Sequence, residues 1–198
     1  MKFTKITAFV LIFLPSLASA SQLLNSSEMT FLVRNCLSHF SPKNGLPVNI
    51  DKNRLQNMGF SITRDENHII EAQRVVKEAV YGFTKYRIGP AIRIDRQRKR
   101  PDVVKFWTCK ITMGDMVKST TAYITNMTSA QVQKLIEKEA RRMGFKTIKG
   151  KRNKTIWIKN GVPMIFRVAF YTEPGQRPDG NSTPAGIYFQ GAHPKVLP

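Results

Sequence analysis

Residues 155–171 of this 198-residue chain have the sequence TIWIKNGVPMIFRVAFY, in which two β-prone runs flank a short polar turn. β-Branched and aromatic side chains dominate both runs, as is typical of strands. Asn160-Gly161 lies between the runs, and this pair tolerates the positive φ angles that a tight hairpin turn requires. The stretch therefore predicts an antiparallel β-hairpin in the C-terminal half of the chain.

The segment before the hairpin has the pattern of a capped helix. Thr128 and Gln131 form a T-x-x-Q capping box, in which each side chain accepts a hydrogen bond from the other residue's backbone N–H. Gly144 ends the helical pattern. The apolar side chains that recur at helical spacing on one face are Val132, Leu135, Ile136, Ala140 and Met143.

Two more helices are predicted nearer to the N-terminus. The first begins near Glu28 with Ser26 or Ser27 as its cap, and it ends before Ser41-Pro42 because proline disfavours its continuation. The second is short and spans residues 49–58. Gly59 follows it as a left-handed cap.

Residues 66–83 leave two interpretations open. Their apolar residues recur with a helical period, and the early Glu66 and late Lys77 suit the helix dipole. This pattern favours a helix. Ile70 and Tyr81 interrupt a clean apolar stripe, which keeps a strand as the alternative.

The remaining extended segments define the fold class. Strand character is found at residues 86–94 with an interruption at Gly89-Pro90, at 103–113, at 118–125 and at 186–190, whereas residues 172–185 have loop composition. Helices come first and the strands follow without regular strand–helix alternation. We therefore predict an α+β fold with a mostly antiparallel sheet, two to four helices and one disulfide.

The tripeptide Met-Gly-Phe occurs at residues 58–60 and again at residues 143–145. In both places it follows a predicted helix and precedes an extended segment. We interpret it as the ordinary end of a helix, where glycine takes the left-handed conformation and an apolar residue packs behind it. The alternative is that it marks two related helix-then-strand units about 85 residues apart.

The first twenty residues have the composition of an export signal. Lys2 and Lys5 precede the run Ile6–Leu14, which is apolar except for Thr7, and Ala18-Ser19-Ala20 supplies small residues for cleavage. The run is too short to cross a membrane, which takes about 20 apolar residues.

We therefore predict a signal peptide at residues 1–20 and a single α+β domain at residues 21–198, in a periplasmic or secreted protein. No transmembrane segment is expected after cleavage. Glycosylation would depend on the producing cell, and the candidate sequons are Asn25, Asn126, Asn153 and Asn181.

Two cysteines, Cys36 and Cys109, follow the predicted signal. In an oxidising compartment an even pair predicts one disulfide. Closing a loop of roughly 70 residues stabilises the chain by about 4 kcal/mol in the chain-entropy account. The alternatives are two inert buried thiols or one reactive thiol, and the absence of a C-x-x-C motif argues against a redox role.

Basic residues dominate the charge. Without Lys2 and Lys5, 30 basic residues stand against 13 acidic ones, which gives a net charge of +17. Seventeen of the basic residues lie in two windows, residues 85–110 and 138–154, and such a surface attracts polyanions over long range. We predict that a polyanion binds through Arg93, Arg96, Arg98, Lys99, Arg100, Arg141, Arg142, Lys146, Lys149, Lys151 and Arg152.

Aromatic residues lie near both windows, where they have two possible roles. Trp107 and Trp157 would stack on bases or sugars if they were exposed. Apolar residues alternate around both of them, which favours a place in the core.

Catalytic motifs are missing from the sequence. The three histidines, His39, His68 and His193, are far apart and lack metal-ligand spacing, and the common hydrolase and nucleotide-binding motifs do not occur. We expect no cofactor and no metal. A ribonuclease-like use of His39, His68 and Lys110 rests on composition alone.

We therefore predict an exported, non-enzymatic protein that binds anionic envelope or extracellular material. Its partner is expected to be an anionic lipid, a glycan or an acidic protein, and nucleic acid ranks lower because an exported protein does not meet genomic DNA. A structural component of a bacterial envelope or secretion complex is the alternative, and a small secreted hydrolase ranks third. A basic surface that serves solubility alone remains the simplest competing interpretation.

Overall fold

The computed structural model describes residues 24–40, 50–81, 84–95, 106–112, 125–150, 154–170 and 184–192. Within these ranges the helices are α1 (Ser26–His39), α2 (Lys52–Asn57) and α3 (Ser129–Arg142). The strands are β1 (Ser61–Glu66), β2 (Ile69–Gln73), β3 (Lys77–Tyr81), β4 (Thr84–Ile88), β5 (Ala91–Asp95), β6 (Phe106–Thr112), β7 (Lys146–Lys149), β8 (Thr155–Lys159), β9 (Val162–Phe170) and β10 (Pro184–Ala192).

One large sheet dominates the molecule. Eight strands pair in the order β1-β2-β5-β6-β10-β9-β8-β7, and every neighbouring pair is antiparallel. Strands β3 and β4 form a separate two-stranded hairpin. The predicted antiparallel sheet is confirmed, but the α+β class holds only coarsely because the sheet far outweighs the three helices.

The hairpin predicted at residues 155–171 is formed by β8 and β9. Asn160 has a φ angle of 51° and Gly161 one of 74°. Both values lie in the left-handed region, which is the geometry that a two-residue hairpin turn of this type needs. The turn leads directly into the pairing of Lys159 with Val162.

Two helix starts use the capping box. Thr128 and Gln131 cap α3 reciprocally, as predicted. The cap of α1 is Asn25 rather than Ser26 or Ser27. Asn25 is the cap because Glu28 follows it by three residues: the Asn25 backbone N–H donates a 3.0 Å hydrogen bond to Oε2 of Glu28, which completes the box.

The helix favoured at residues 66–83 is wrong, and the strand alternative is confirmed. Residues 69–73 form β2, which pairs with β1 on one side and β5 on the other, and residues 77–81 form β3. Pairing with two neighbours outweighs the local helical period, because strand preference depends largely on the packing context.

Other boundaries also shift. The helix predicted at residues 49–58 is confined to residues 52–57, and the strand predicted at 186–190 runs over the longer range Pro184–Ala192. The strand predicted at 118–125 and the loop at 172–185 fall almost wholly outside the described residues, as does the whole predicted signal peptide.

The sheet is built from two similar halves. In chain order β1, β2, β5 and β6 form one half and β7, β8, β9 and β10 the other, and the last strand of each half meets at the centre, where β6 pairs with β10. A helix precedes the first strand of each half, α2 in one and α3 in the other. The strand order is therefore symmetric about the central pair β6–β10.

The Met-Gly-Phe tripeptides occupy equivalent places in these halves. Gly59 has a φ angle of 79° and Gly144 one of 83°. The backbone N–H groups of Phe60 and Phe145 each donate a 3.0 Å hydrogen bond to the carbonyl five residues earlier, as in a Schellman cap. The tripeptides are therefore helix ends, and the topology also supports the alternative of two related units.

Helices α1 and α3 contact each other and pack on one face of the sheet. The predicted disulfide is confirmed: Cys36 of α1 is bonded to Cys109 of β6, with Cα atoms 5.4 Å apart. Both tryptophans belong to the core, as predicted, since Trp107 is 6% and Trp157 is 3% exposed. The opposite side of the sheet is named the outer face below.

Candidate anion-binding site

A row of side chains crosses the outer face. Because Cys109 faces α1, its neighbour Lys110 points to the outer face. Successive strand pairs place Glu71 opposite Arg93, Arg93 opposite Lys110, Lys110 opposite Tyr188 and Tyr188 opposite Arg167. Directly opposite residues share one face of a sheet, so these five side chains form one line, named the cross-strand row.

The charge of Arg93 is balanced by carboxylates. One terminal nitrogen of its guanidinium lies 3.1 Å from Oδ2 of the buried Asp95, and the other lies 3.7 Å from Oε2 of Glu71. Arg93 was a predicted polyanion contact. It lies on the outer face in the row, but its existing ion pairs leave it little free charge for a ligand.

Lys110 and Arg167 differ from Arg93 in this respect. The Lys110 ammonium lies 5.2 Å from the centroid of the Tyr188 ring, and the guanidinium carbon of Arg167 lies 5.4 Å from the same centroid. Among the described residues, neither cation has a carboxylate within ion-pair distance. The centre of the row therefore holds two cations whose charge is not balanced by this part of the chain.

Sequence reasoning did not place Lys110 or Arg167 among the binding residues. Local charge density favoured the runs of adjacent basic residues, whereas this pair is 57 residues apart in the sequence and adjacent only through β10. A usable signal was the strand alternation: Cys109 in the core predicts that Lys110 points outward.

The second basic window surrounds the C-terminal end of α3. Arg141, Arg142, Lys146 and Lys149 are all exposed. Arg141 is paired with Glu137 at 3.6 Å and lies above the ring of Trp157. The other predicted contacts, Arg96, Arg98, Lys99, Arg100, Lys151 and Arg152, lie outside the described residues.

A cavity of about 650 Å³ opens where β8 separates from β9. The pairing of these strands ends at Trp157 and Met164. Beyond that point Lys154 and Thr155 line one side of the gap, and Ile165 and Arg167 line the other. Further wall residues come from both faces of the sheet: Gln133 and Glu137 of α3, and Tyr188 and Gln190 of β10.

The histidines occupy different environments. His39 is buried and contacts the rings of Phe40 and Trp107, at 5.1 and 5.7 Å between centroids. His68 is exposed in the turn between β1 and β2, 3.7 Å from Glu66, and His193 lies outside the described residues. Within the described ranges, His, Cys, Asp and Glu side chains do not group as metal ligands.

In the part of the chain that the structure covers, each helix is too short or too polar to span a bilayer.

No protein-family model matches the chain, and no curated protein or solved structure matches it either.

Proposed function

We propose that this is an exported, non-enzymatic protein that binds an anionic polymer of the cell envelope or the extracellular space. The observation that carries the proposal is the arrangement of Lys110 and Arg167 on either side of Tyr188. Two cations that lie on one face of the sheet, without carboxylate partners among the described residues, favour an anionic ligand. The net charge of +19 for the whole chain adds a long-range attraction.

The shape of the outer face favours an extended ligand. Lys110 and Arg167 lie on strands that flank β10, so their backbones are two strand spacings, roughly 10 Å, apart. A polymer that carries repeated negative charges can contact both cations together. Lys146, which is exposed and lies opposite Ile158 on this face, could add a further contact and so raise the affinity.

The disulfide and the absence of a spanning helix among the described residues are compatible with an extracellular or periplasmic location. Together with the predicted signal peptide they favour anionic lipid, glycan or acidic protein over nucleic acid.

A role as an assembly component is the second candidate, because Ile148 on the edge strand β7 is 48% exposed. Lys146 and Lys149 flank it on this edge, and charged residues there disfavour strand addition.

The test is retention of the purified protein on immobilised dextran sulfate, with neutral dextran as the reference. We expect retention on dextran sulfate alone, with an affinity that falls steeply as salt rises because counterions are released on binding. The double variant Lys110→Gln/Arg167→Gln should elute at clearly lower salt than the wild-type protein.

The matched control is Lys52→Gln/Lys134→Gln, which removes the same charge away from the row. Its elution should shift less than that of the row variant. If both double variants elute together, net charge alone explains the retention and the row is not the site. If the wild-type protein elutes at trivial salt, polyanion binding itself is wrong.

A further inference from the structure

The two halves of the sheet differ at one place. The two Met-Gly-Phe tripeptides lie 85 positions apart, and the same offset relates β2 to residues 154–158, so Ala72 corresponds to Trp157. Ala72 pairs with Ile92, and Trp157 pairs with Met164. Ile92 of β5 therefore corresponds to Met164 of β9, and the other residues of β5 follow with the same offset of 72 positions. In the first half the ladder continues from Ala72 to Ile69, whereas in the second half it stops at Trp157.

Three strand pairs are therefore open in the second half. The pair Ile69–Asp95 closes the ladder in the first half, and its equivalents in the second half are Lys154 and Arg167. These two residues line the opposite sides of the cavity. The cavity thus occupies the place of the missing ladder.

The two halves carry different charges at the position of the Ile69–Asp95 pair, and this difference favours an anion in the cavity. In the first half, the buried Asp95 accepts a hydrogen bond from Arg93. In the second half, no acidic residue replaces it, and both equivalent positions carry positive charge. Like charges directly opposite in a sheet repel each other, so an anion between the two positions would relieve the repulsion. Glu137 of α3 also lines the cavity, but its carboxylate already pairs with Arg141 at 3.6 Å.

We propose that this cavity binds the acidic group of a sugar, a carboxylate, sulfate or phosphate, between Lys154 and Arg167. This inference rests on the proposed function and names the polymer as an acidic glycan.

The walls of the cavity suit a sugar better than a nucleic-acid base. Bases bind by stacking on exposed aromatic faces, but Trp157 is 3% exposed and Tyr188 already contacts two cations. Phe166 lies between the rings of Trp157 and Phe189, 6.1 Å from each centroid. The aromatic rings that line the cavity thus already pack against other side chains, which disfavours stacking on a base.

Polar groups around the gap match sugar hydroxyls instead. Gln133, Gln190 and Thr155 line the gap, and their side chains can donate and accept hydrogen bonds. The amide nitrogen of Gln133 already donates a 3.1 Å hydrogen bond to Oε1 of Glu137, which leaves its carbonyl oxygen for a ligand. Ile165, which is 40% exposed, offers an apolar contact for the C–H face of a sugar ring.

The experiment is calorimetric titration of the whole protein with trigalacturonate, with a sulfated trisaccharide of similar size and with neutral maltotriose. We expect binding of at least one acidic trisaccharide and none of maltotriose. Lys154→Gln and Arg167→Gln should each weaken that binding about tenfold, since a hydrogen bond to a charged group is lost. Lys52→Gln, at the start of α2 and outside both the cavity lining and the cross-strand row, should leave it within about twofold.

Lys134→Gln serves as the charge control, and the thermal unfolding midpoint checks that each variant is folded. The inference is overturned if Lys154→Gln binds the acidic sugars like the wild-type protein, or if maltotriose binds equally well. A single-stranded oligonucleotide that binds with the same dependence on Lys154 also overturns it. The proposed function fails separately, when the wild-type protein is not retained on dextran sulfate.

Discussion

Arg34 of α1 donates a 2.7 Å hydrogen bond from Nε to Oε2 of Glu139 of α3, and so joins two helices across 105 residues of chain. The two partners differ in exposure: the Arg34 side chain is 43% exposed, whereas that of Glu139 is 4% exposed. The guanidinium holds the pKa of the Glu139 carboxyl below its usual value, chiefly through this hydrogen bond and against the opposing effect of burial.

The difference in exposure predicts unequal effects of the two single substitutions. Arg34→Gln leaves a buried carboxylate without its main partner and should lower the free energy of unfolding by about 2 kcal/mol. Glu139→Gln leaves a half-exposed guanidinium that water can solvate, so its cost should be under about 1 kcal/mol. Urea unfolding of both variants at neutral pH measures the difference, and equal losses would contradict the assignment.

The same pair predicts a dependence of stability on pH. The folded-state pKa of Glu139 lies below the ordinary value of 4.5, so the native state is favoured while the carboxyl is ionised. That contribution is complete above pH 4.5 and is lost as the pH falls through the lower folded-state pKa. Glu139→Gln should therefore flatten the acid side of the stability curve, measured by urea unfolding between neutral and acidic pH. An unchanged slope would show that other carboxyls carry it.

Reduction of Cys36–Cys109 is expected to destabilise the fold strongly. The bond joins α1 to the central strand β6 across 73 residues, and opening such a loop costs about 4 kcal/mol in the chain-entropy account. The variant Cys36→Ala/Cys109→Ala should show a comparable loss in urea unfolding. Adding reductant to this double variant should change nothing further, which separates the disulfide from general effects of the reagent.

The sequence predicted the parts of the fold that are fixed by local chemistry. The turn at Asn160-Gly161 and the capping box at Thr128 depend on neighbouring residues, and both are confirmed. The disulfide followed from the number of cysteines and the expected compartment. Residues 69–73 failed as a predicted helix because they lie between β1 and β5, and the pairing with β5 joins residues 18 to 26 positions apart in the sequence.

The candidate site was harder to predict for the same reason. Lys110, Tyr188 and Arg167 become neighbours only when the strand order is known. The cavity depends on a difference between the two halves of the sheet. The Met-Gly-Phe tripeptides signalled the relation between the halves, but nothing local marks the end of pairing at Trp157.

Gly191 is predicted to tolerate no side chain. A Cβ atom there would lie 2.6 Å from Cδ1 of Phe40 and 2.8 Å from the carbonyl oxygen of Pro163, so Phe40 and the β9 backbone would have to move. Gly191→Ala should cost about 1–3 kcal/mol through overpacking. The exposed neighbour provides the control, since Gln190→Ala should stay within about 0.5 kcal/mol. Similar unfolding midpoints for both variants would contradict this packing.

The basic run Arg96-Gln97-Arg98-Lys99-Arg100 follows β5 directly, and its role in polyanion binding is open to a direct test. Reversing the four charges with Glu changes the net charge by eight and places negative charge beside the ligand, so retention on dextran sulfate should fall to much lower salt. The unfolding midpoint should stay the same if the run is exposed, as its composition predicts. Retention equal to that of the wild-type protein would exclude this run and leave the cross-strand row as the binding surface. A large loss of stability would instead mean that the run has a structural role.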